Sequence, residues 1–363
     1  MESIWINGKD IHLNDYTGDH KKISRLSSFE REVITFIIEW IKGKEDFKLL
    51  TSGSTGPPKT ISIHRKQMID SAVKTLDYLN IKEGGNALLC LNPKYIAGRM
   101  MIVRSLIGNL NLFALSPVSN PLLVDDLDYT FDLVALVPYQ VTNILDHNRS
   151  TLRLKSIKNV LIGGAELPEA VSTAMNSFGN QIFQTFGMTE TVSHIALKKL
   201  SGEKISGFYE VLKGIDIGQD DRGCLTVLGD ITAGRKIITN DLVALVDKRK
   251  FMWKGRIDQV INSGGIKLKI MEVEKKIKQL FISENITYGF FVSGVPDLRL
   301  GERMILIVET LDEKIEIKEI KTIFRTGLSK YERPREIHPI KKFLYTETGK
   351  INRSATLKLI TLH

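Results

Sequence analysis

The sequence predicts an α/β protein with a large amino-terminal domain and a small carboxy-terminal α+β domain. Its 363 residues exceed what one ordinary hydrophobic core needs. Strand-like apolar runs alternate with helical runs between residues 87 and 162, which is the pattern of a sheet flanked by helices. After residue 258 the pattern changes, because a charged amphipathic helix follows. We therefore expect two domains of unequal size.

The elements of the first domain are predicted from its apolar runs and from the glycines and proline that separate them. Strands are expected at residues 87–91, 112–115, 131–137 and 157–162. Helices are expected at residues 96–107 and 141–146. Gly163-Gly164 ends the last of these strands, and Pro168 stands where the first turn of a helix would begin. Short strands between glycines over residues 217–251 predict a small β subdomain.

The domain boundary is placed at the turn Arg256–Asp258. This gives domains of residues 1–255 and 259–363, with a hinge at residues 256–258. Four apolar residues at near-helical spacing predict a helix in the second domain: Ile270, Val273, Ile277 and Leu280. Strands are expected at residues 289–292 and 304–308, and a helix near residues 317–324.

Composition and charge exclude several classes of protein. The 42% hydrophobic and 26% charged residues are typical of a globular chain and not of a disordered one. The apolar stretch Val33–Ile41 is far shorter than the roughly 20 residues that span a bilayer, so no membrane insertion is expected. Cys90 and Cys224 are distant in sequence and lack metal-ligand spacing, which predicts a cytoplasmic protein without a disulfide or zinc. The net charge of +9 is spread along the chain, so we interpret it as a surface that attracts anionic substrates and expect no nucleic acid.

The segment TSGSTGPPKT, residues 51–60, has the chemistry of a phosphate clamp. Its glycines let successive amides point at one anion, its hydroxyls add donors and its lysine adds a point charge. The spacing differs from that of a P-loop, which disfavours a Walker-type NTPase. A solvated turn between two strand-like runs is the alternative. The residues that would bind the phosphates of ATP are Thr51, Ser52, Gly53, Ser54, Thr55, Gly56 and Lys59.

Further segments follow this loop in an order that resembles the adenylate-forming superfamily of acyl-CoA synthetases, adenylation domains and luciferases. They span residues 162–353, so the resemblance covers most of the chain. The order of the set indicates the family more strongly than any single match does. The segments are IGGAE (162–166), FGMTE (186–190), TND (239–241), GRIDQVINSGGIKLKIMEVE (255–274) and TGKINR (348–353).

The resemblance implies ATP, Mg²⁺ and coenzyme A as cofactors. It places adenine against Gly163, Gly164 and Ala165, with Thr185, Phe186 and Gly187 beside it. Glu190 would hold the magnesium ion, because a hard cation prefers carboxylate oxygen, and Thr189 would contribute to catalysis. A surface carboxylate that caps the next element is the alternative for Glu190.

The resemblance also assigns the ribose contacts and the hinge. Asp241 would accept hydrogen bonds from both ribose hydroxyls, and Arg256 would contact ribose and phosphate, although alone it would more often be a surface arginine. Asp258 would be the hinge residue. The family usually has glycine where Asn240 stands, which concerns the local turn more than the carboxylate.

Lys350 is the residue that the resemblance assigns to catalysis of acyl-AMP formation. Charge accumulates on the transferring phosphoryl group, and a lysine on a mobile domain can neutralise it. Gly264 and Gly265 would border the channel for the pantetheine arm of coenzyme A, or they would merely form a hairpin turn. Rotation of the small domain about Asp258 would exchange the two sites.

Only 50 residues precede the phosphate loop, which is short for this superfamily. Together with the segments KYIAGRM (94–100) and TETVSHIA (189–196), this compact build is similar to short o-succinylbenzoyl-CoA synthetases of menaquinone biosynthesis. A pocket for that acid should pair apolar walls with a cation for the second carboxylate. The candidates are Lys94, Arg99 and His194, together with Tyr95, which stands where many relatives have a histidine.

Three alternatives stay open at this point. Another aryl- or acyl-CoA ligase, or an adenylation enzyme that loads a carrier protein, would use the same motifs. An inactive regulatory protein would bind nucleotide without turnover. A basic nucleic-acid binder would show steeply salt-dependent binding of duplex. A homodimer is also left open.

Overall fold

The computed structural model describes residues 2–17, 20–50, 60–124, 129–202, 205–310, 317–345 and 351–360, and not the side chains of residues 20, 50 and 258. The chain divides into two compact units. Within the described residues, the first unit extends to Trp253 except for Asn240–Leu242, and the second contains that segment and the chain from Lys254 onward. The predicted phosphate clamp at residues 51–59, Lys350 and the side chain of Asp258 therefore lie outside the described parts. The predicted hinge stays a prediction.

The elements up to residue 256 alternate between strands and helices. The strands are β1 (Ser3–Ile6), β2 (Lys9–His12), β3 (Asp46–Leu50), β4 (Thr60–His64), β5 (Asn86–Leu89), β6 (Asn111–Ala114), β7 (Leu133–Leu136), β8 (Asn159–Ile162), β9 (Gln181–Gly187), β10 (His194–Lys199), β11 (Tyr209–Val211), β12 (Ile215–Gln219), β13 (Cys224–Gly229), β14 (Ile237–Asp247) and β15 (Lys250–Arg256). The helices are α1 (His20–Ser24), α2 (Ser28–Ile41), α3 (Arg65–Leu79), α4 (Ile96–Ile107), α5 (Pro138–Leu145), α6 (Asn148–Ser156) and α7 (Glu169–Met175).

Most of these strands form one mixed sheet in the described part of the chain. Its order is β12-β13-β14-β15-β11-β10-β9-β8-β7-β5-β6-β1-β2. The strands from β9 to β1 in this order run parallel to their neighbours. β10 and β11 are antiparallel. The α/β fold is thus confirmed, and the strands of the predicted β subdomain continue the large sheet.

Alternation along the central strands places helices on both faces of the sheet. Ala87 and Leu89 of β5 belong to a core shared with α2, α3 and α4. Leu88 of the same strand belongs to a second core shared with α5, α6 and α7. Because successive side chains of a strand point to opposite faces, this strand is buried on both sides. Such burial explains its continuous apolar sequence.

The connections around β5 mark where a ligand would bind. The chain passes from β5 through α4 to its neighbour β6, and then crosses to β7 on the other side of β5. In open α/β sheets, ligands bind outside the carboxyl ends of the strands where the connections diverge in this way. The segments at this edge include residues 91–95 after β5 and Gly163-Gly164 after β8.

The second unit has its own sheet and its own core. Its elements are β16 (Val260–Ser263), β17 (Ile266–Lys269), α8 (Ile270–Ser283), β18 (Gly289–Asp297), β19 (Gly301–Glu309), α9 (Ile317–Gly327), β20 (Glu336–Ile340) and α10 (Arg353–Leu357). The sheet order is β17-β16-β19-β18, and β20 pairs in parallel with β19. α8 and α9 share a core with one face of this sheet. Phe343 and Leu357 pack on its other face.

Candidate functional site

The ends of β8 and β9 bring four of the predicted nucleotide residues to one edge of the sheet. Gly163 follows β8, and a Cβ on it would lie 2.1 Å from Thr185 Oγ1 on the neighbouring β9. Gly164 has φ +87°, a conformation that favours glycine, and both Gly164 and Ala165 are exposed. The exposed backbone at this edge fits a flat ligand such as adenine.

Phe186, the aromatic residue predicted beside adenine, packs partly against the protein. Its ring centroid lies 5.5 Å from that of Tyr209 and 5.1 Å from that of Phe251, in edge-to-face geometry. The residue is nevertheless only half-buried. Its contact with adenine stays a prediction.

A tight turn between β9 and β10 carries the predicted magnesium and catalytic residues. Thr189–Thr191 form a 3₁₀ helix in which Glu190 is exposed. Val192 follows with φ 66° and ψ −52°, and the Ser193 N–H donates to the Thr191 carbonyl at 2.7 Å. This is the rare γ-turn, which is strained for a β-branched residue. The turn therefore fixes the direction of the backbone at Ser193.

The exposed Glu190 carboxylate fits a magnesium ion bound together with phosphates. Mg²⁺ is usually held by one or two carboxylates plus substrate oxygens and water, and not by a dedicated protein cage. No group of three or more His, Cys, Asp or Glu side chains suited to a metal occurs in the described ranges. The assignment of Glu190 and Thr189 stays a prediction.

Arg104 is a buried cation that the sequence reasoning missed. It lies on α4 and is 2% exposed. Its Nη2 donates to Ser193 Oγ at 2.9 Å, and its Nε has no hydrogen-bond partner. Burial lowers the pKa of Arg104 to about 10, and no carboxylate of the described residues pairs with it. The available signal was a lone arginine in the apolar run MMIVR, residues 100–104.

His194 lies beside Arg104 and is neutral. Burial, followed by the positive charge of Arg104, lowers the pKa of His194 well below its ordinary value. Its Nε2 lies 3.0 Å from Thr75 Oγ1 on α3, and its Nδ1 lies 3.5 Å from Ser193 Oγ. His194 was predicted as a cation or as a wall of the acid pocket. The structure assigns the charge at this place to Arg104.

The remaining acid candidates lie around the turn between β5 and α4. Lys94 is exposed and Tyr95 is half-buried. The Arg99 guanidinium donates to the carbonyls of Pro93 at 2.8 Å and Lys48 at 3.1 Å, and it lies 5.4 Å from the ring of Phe36. Arg99 thus ties α4 to β3 and α2. Contacts of Lys94, Tyr95 and Arg99 with a substrate stay predictions.

The predicted ribose and coenzyme A residues lie in the second unit. Arg256 Nη1 lies 3.8 Å from Asp241 Oδ2, so these two candidates are close together. Asp241 is buried. Gly264 and Gly265 form the two-residue turn between β16 and β17, with φ +59° and +81°. This is the hairpin turn kept as the alternative for these glycines, and their role with coenzyme A stays a prediction.

Across the residues that the structure describes, no helix combines the length and the apolar character needed to cross a bilayer.

Comparison with known proteins agrees with this geometry. Residues 47–211 match the family model described as AMP-binding enzyme. A solved structure of an acyl-CoA synthetase (AMP-forming)/AMP-acid ligase II-like protein from Dyadobacter fermentans is 36% identical, with a TM-score of 0.62. The match covers 96% of this chain and 98% of that one.

Two further similarities concern the acid. A probable 2-succinylbenzoate–CoA ligase of Mycobacterium tuberculosis is 26% identical over 333 residues, which cover 85% of this chain and 82% of that protein. The o-succinylbenzoate coenzyme A synthetase of Bacillus subtilis, solved in complex with ATP and magnesium ion, is 21% identical with a TM-score of 0.68. That match covers 85% of this chain and 69% of the other, and it shows the same fold.

Proposed function

We propose that this chain, which belongs to the family of AMP-binding enzymes, activates o-succinylbenzoate as an acyl-AMP and transfers the acyl group to coenzyme A in menaquinone biosynthesis. The chain is an AMP-forming acid–thiol ligase, and the cofactors of such ligases are ATP, Mg²⁺ and coenzyme A. The sequence reasoning identified this enzyme class correctly. The acid itself is the part that is proposed.

The buried guanidinium of Arg104 is the observation that supports this acid. A buried charge is unfavourable unless it is paired, and Arg104 has no carboxylate partner among the described residues. Its neighbour His194 is neutral, so the place holds a single positive charge. A substrate with one carboxylate that reacts and a second that does not would supply the missing anion. o-Succinylbenzoate has these two carboxylates.

Each candidate residue has a proposed role in one step of the reaction. The reacting carboxylate attacks the α-phosphorus of ATP, and pyrophosphate leaves. Lys350 neutralises the charge that develops on the phosphoryl group. Glu190 would hold the magnesium ion, which would supply positive charge against the phosphates. Thr185 and Gly163 hold the adenine edge, Asp241 accepts from the ribose, and Gly264-Gly265 border the thiol channel for the second step.

The two monomethyl esters of o-succinylbenzoate test the proposal. One ester blocks the carboxylate that reacts, and the other removes only the charge of the second carboxylate. We expect pyrophosphate release from the diacid, with coenzyme A consumed when it is present. The second ester is called the reactive ester here, because its reacting carboxylate is free. Its kcat/KM should be about 10- to 100-fold lower than that of the diacid, which is the effect of losing one charge-assisted hydrogen bond.

Variants at Arg104 provide the control. Arg104→Met should lose the preference for the diacid over the reactive ester, whereas Arg104→Lys should retain part of it. The proposal fails if the diacid releases no pyrophosphate, or if the wild-type enzyme uses diacid and reactive ester equally well. Turnover that needs a carrier protein in place of coenzyme A would instead support the carrier-loading alternative.

A further inference from the structure

The hydroxyl of Thr75 has a fixed donor role within α3. Thr75 Oγ1 donates to the carbonyl of Ser71, one turn earlier in the helix, at 3.0 Å. A threonine hydroxyl has one hydrogen and two lone pairs. With that hydrogen directed at Ser71, Thr75 Oγ1 would face His194 Nε2 as an acceptor at 3.0 Å. Nε2 of His194 must then carry the ring hydrogen.

The opposite side of the imidazole leads to the same tautomer. Ser193 Oγ accepts a hydrogen bond from Arg104 Nη2 at 2.9 Å, so its own hydrogen is available to His194 Nδ1 at 3.5 Å. A hydrogen on Nδ1 would place a second donor against Ser193 Oγ and a positive dipole end near the guanidinium. A bare Nδ1 instead places a lone pair there. The hydrogen bonds then run in one direction, from Arg104 through Ser193, His194 and Thr75 to the carbonyl of Ser71.

Three of the four side chains in this cluster are buried, and Ser193 is half-buried. Thr75 is fully buried, Arg104 is 2% exposed and His194 is 7% exposed. In such a place a misdirected hydrogen is costly, because water cannot compensate an unmade hydrogen bond. The γ-turn at Val192 fixes the backbone of Ser193 from the other side. The cluster is therefore preorganised before any ligand enters.

We propose that Thr75 is a positioning residue for the acid site. By accepting from Nε2–H of His194, it selects the tautomer whose bare Nδ1 orients the Ser193 hydroxyl, and Ser193 in turn holds the Arg104 guanidinium in place for the second carboxylate of the substrate. The contact of Arg104 with a substrate carboxylate rests on the proposed function. The tautomer does not depend on it.

The tautomer is measured directly on the full chain without substrate. Long-range ¹H–¹⁵N correlation spectra distinguish Nε2–H from Nδ1–H, and His194→Gln identifies the signal. We expect the Nε2–H form in the wild type between pH 6 and 8, and the same form in Thr75→Ser, which keeps the hydroxyl. Thr75→Val keeps the shape but removes the acceptor, so the Nε2–H form should no longer dominate. An Nδ1–H wild type, or an unchanged spectrum in Thr75→Val, would overturn the inference.

Kinetics with the diacid and its reactive monoester separate positioning from mere stability. Thr75→Val should raise KM for the diacid about 3- to 10-fold over Thr75→Ser, the effect of one modest hydrogen bond, with little change in kcat. KM for the reactive ester should stay within about 2-fold, because the ester lacks the charge that Arg104 contacts. Equal changes for both acids would contradict a positioning role. If o-succinylbenzoate is not turned over at all, the proposed function fails while the spectra still decide the tautomer.

Discussion

Gly163 illustrates how one missing methyl group can shape a ligand site. A Cβ at this position would meet Thr185 Oγ1 at 2.1 Å, but the Thr185 Cβ lies 3.5 Å away, which is an ordinary contact. The obstacle is therefore the hydroxyl and not the backbone of β9. The close approach brings two candidate nucleotide residues side by side.

Gly163→Ala should destabilise the first unit by about 1–3 kcal/mol, the usual effect of overpacking a fixed site. The thermal unfolding midpoint measures this, and ATP-dependent pyrophosphate release should fall with it. The double variant Gly163→Ala with Thr185→Ala should recover most of the stability, because the clashing oxygen is gone.

Gly179→Ala is the matched control for this experiment. A Cβ at Gly179 would meet nothing within 4 Å, so its midpoint should stay within about 1 °C of wild type. A Gly163→Ala protein as stable as this control would show that Thr185 moves aside freely.

Arg99 and Arg104 show how far the residues of a site can be predicted from the sequence alone. Arg99 lies within the segment 94–100 and was predicted as a cation for the second carboxylate, but its guanidinium contacts Pro93, Lys48 and Phe36. Arg104 stood one turn further along the same helix and was missed. Which of two arginines keeps an unpaired charge depends on the segments that fold over each, and those come from distant parts of the chain.

At the scale of elements, local pattern predicted the helices well. The expected helix at residues 96–107 is α4 with the same bounds, since Pro93 and Gly108 frame a mostly apolar run without proline. The expected strand at 131–137 is shorter, as Leu133–Leu136, because strand ends depend on the neighbouring strand and not on the local run alone. The pairing of β11 with β15 joins distant segments and had no local signal.

α10 is a short helix that is fixed mainly by Arg353. The guanidinium Nη2 lies 2.9 Å from Glu274 Oε2 of α8 and lies over the ring of Phe291 at 5.4 Å. Glu274 Oε1 also accepts from the backbone N–H of Val292 at 2.7 Å. A helix of this length has little stability of its own, so this pair largely holds it.

Glu274→Gln should loosen α10, because an amide cannot serve both partners as a carboxylate does. Hydrogen exchange of the peptide covering residues 351–360 should speed up by about 5- to 30-fold, the effect of roughly 1–2 kcal/mol of local stability. Glu272→Gln removes an exposed pair with Lys269 on the same helix and should change exchange there by less than about 2-fold. Equal exchange in both variants would mean that Arg353 does not hold the helix.

At the scale of the whole molecule, the prediction concerns two half-reactions served by different segments. Lys350→Ala should reduce acyl-AMP formation by about 10²- to 10³-fold, as expected when one stabilising group is removed from a charged transition state. Thioester formation from supplied acyl-AMP should change little, because we assign that step to Gly264-Gly265 instead. Single-turnover assays of each half-reaction measure the two effects.

Lys341→Ala is the control for that comparison, since Lys341 is an exposed lysine of the same unit. It should leave both half-reactions unchanged within about 2-fold. Equal loss of both half-reactions in Lys350→Ala would contradict the division of labour between the two segments.

The large sheet reverses direction between β9 and β10, and the reversal takes place inside the segment that carries Glu190 and Ser193. A crossover between parallel strands can lengthen without disturbing either strand, whereas here one extra residue would shift the register and turn Ser193 away from Arg104. With the role proposed for Arg104, we therefore expect new acid specificities to arise at this segment by exchange of side chains and not by insertion of residues.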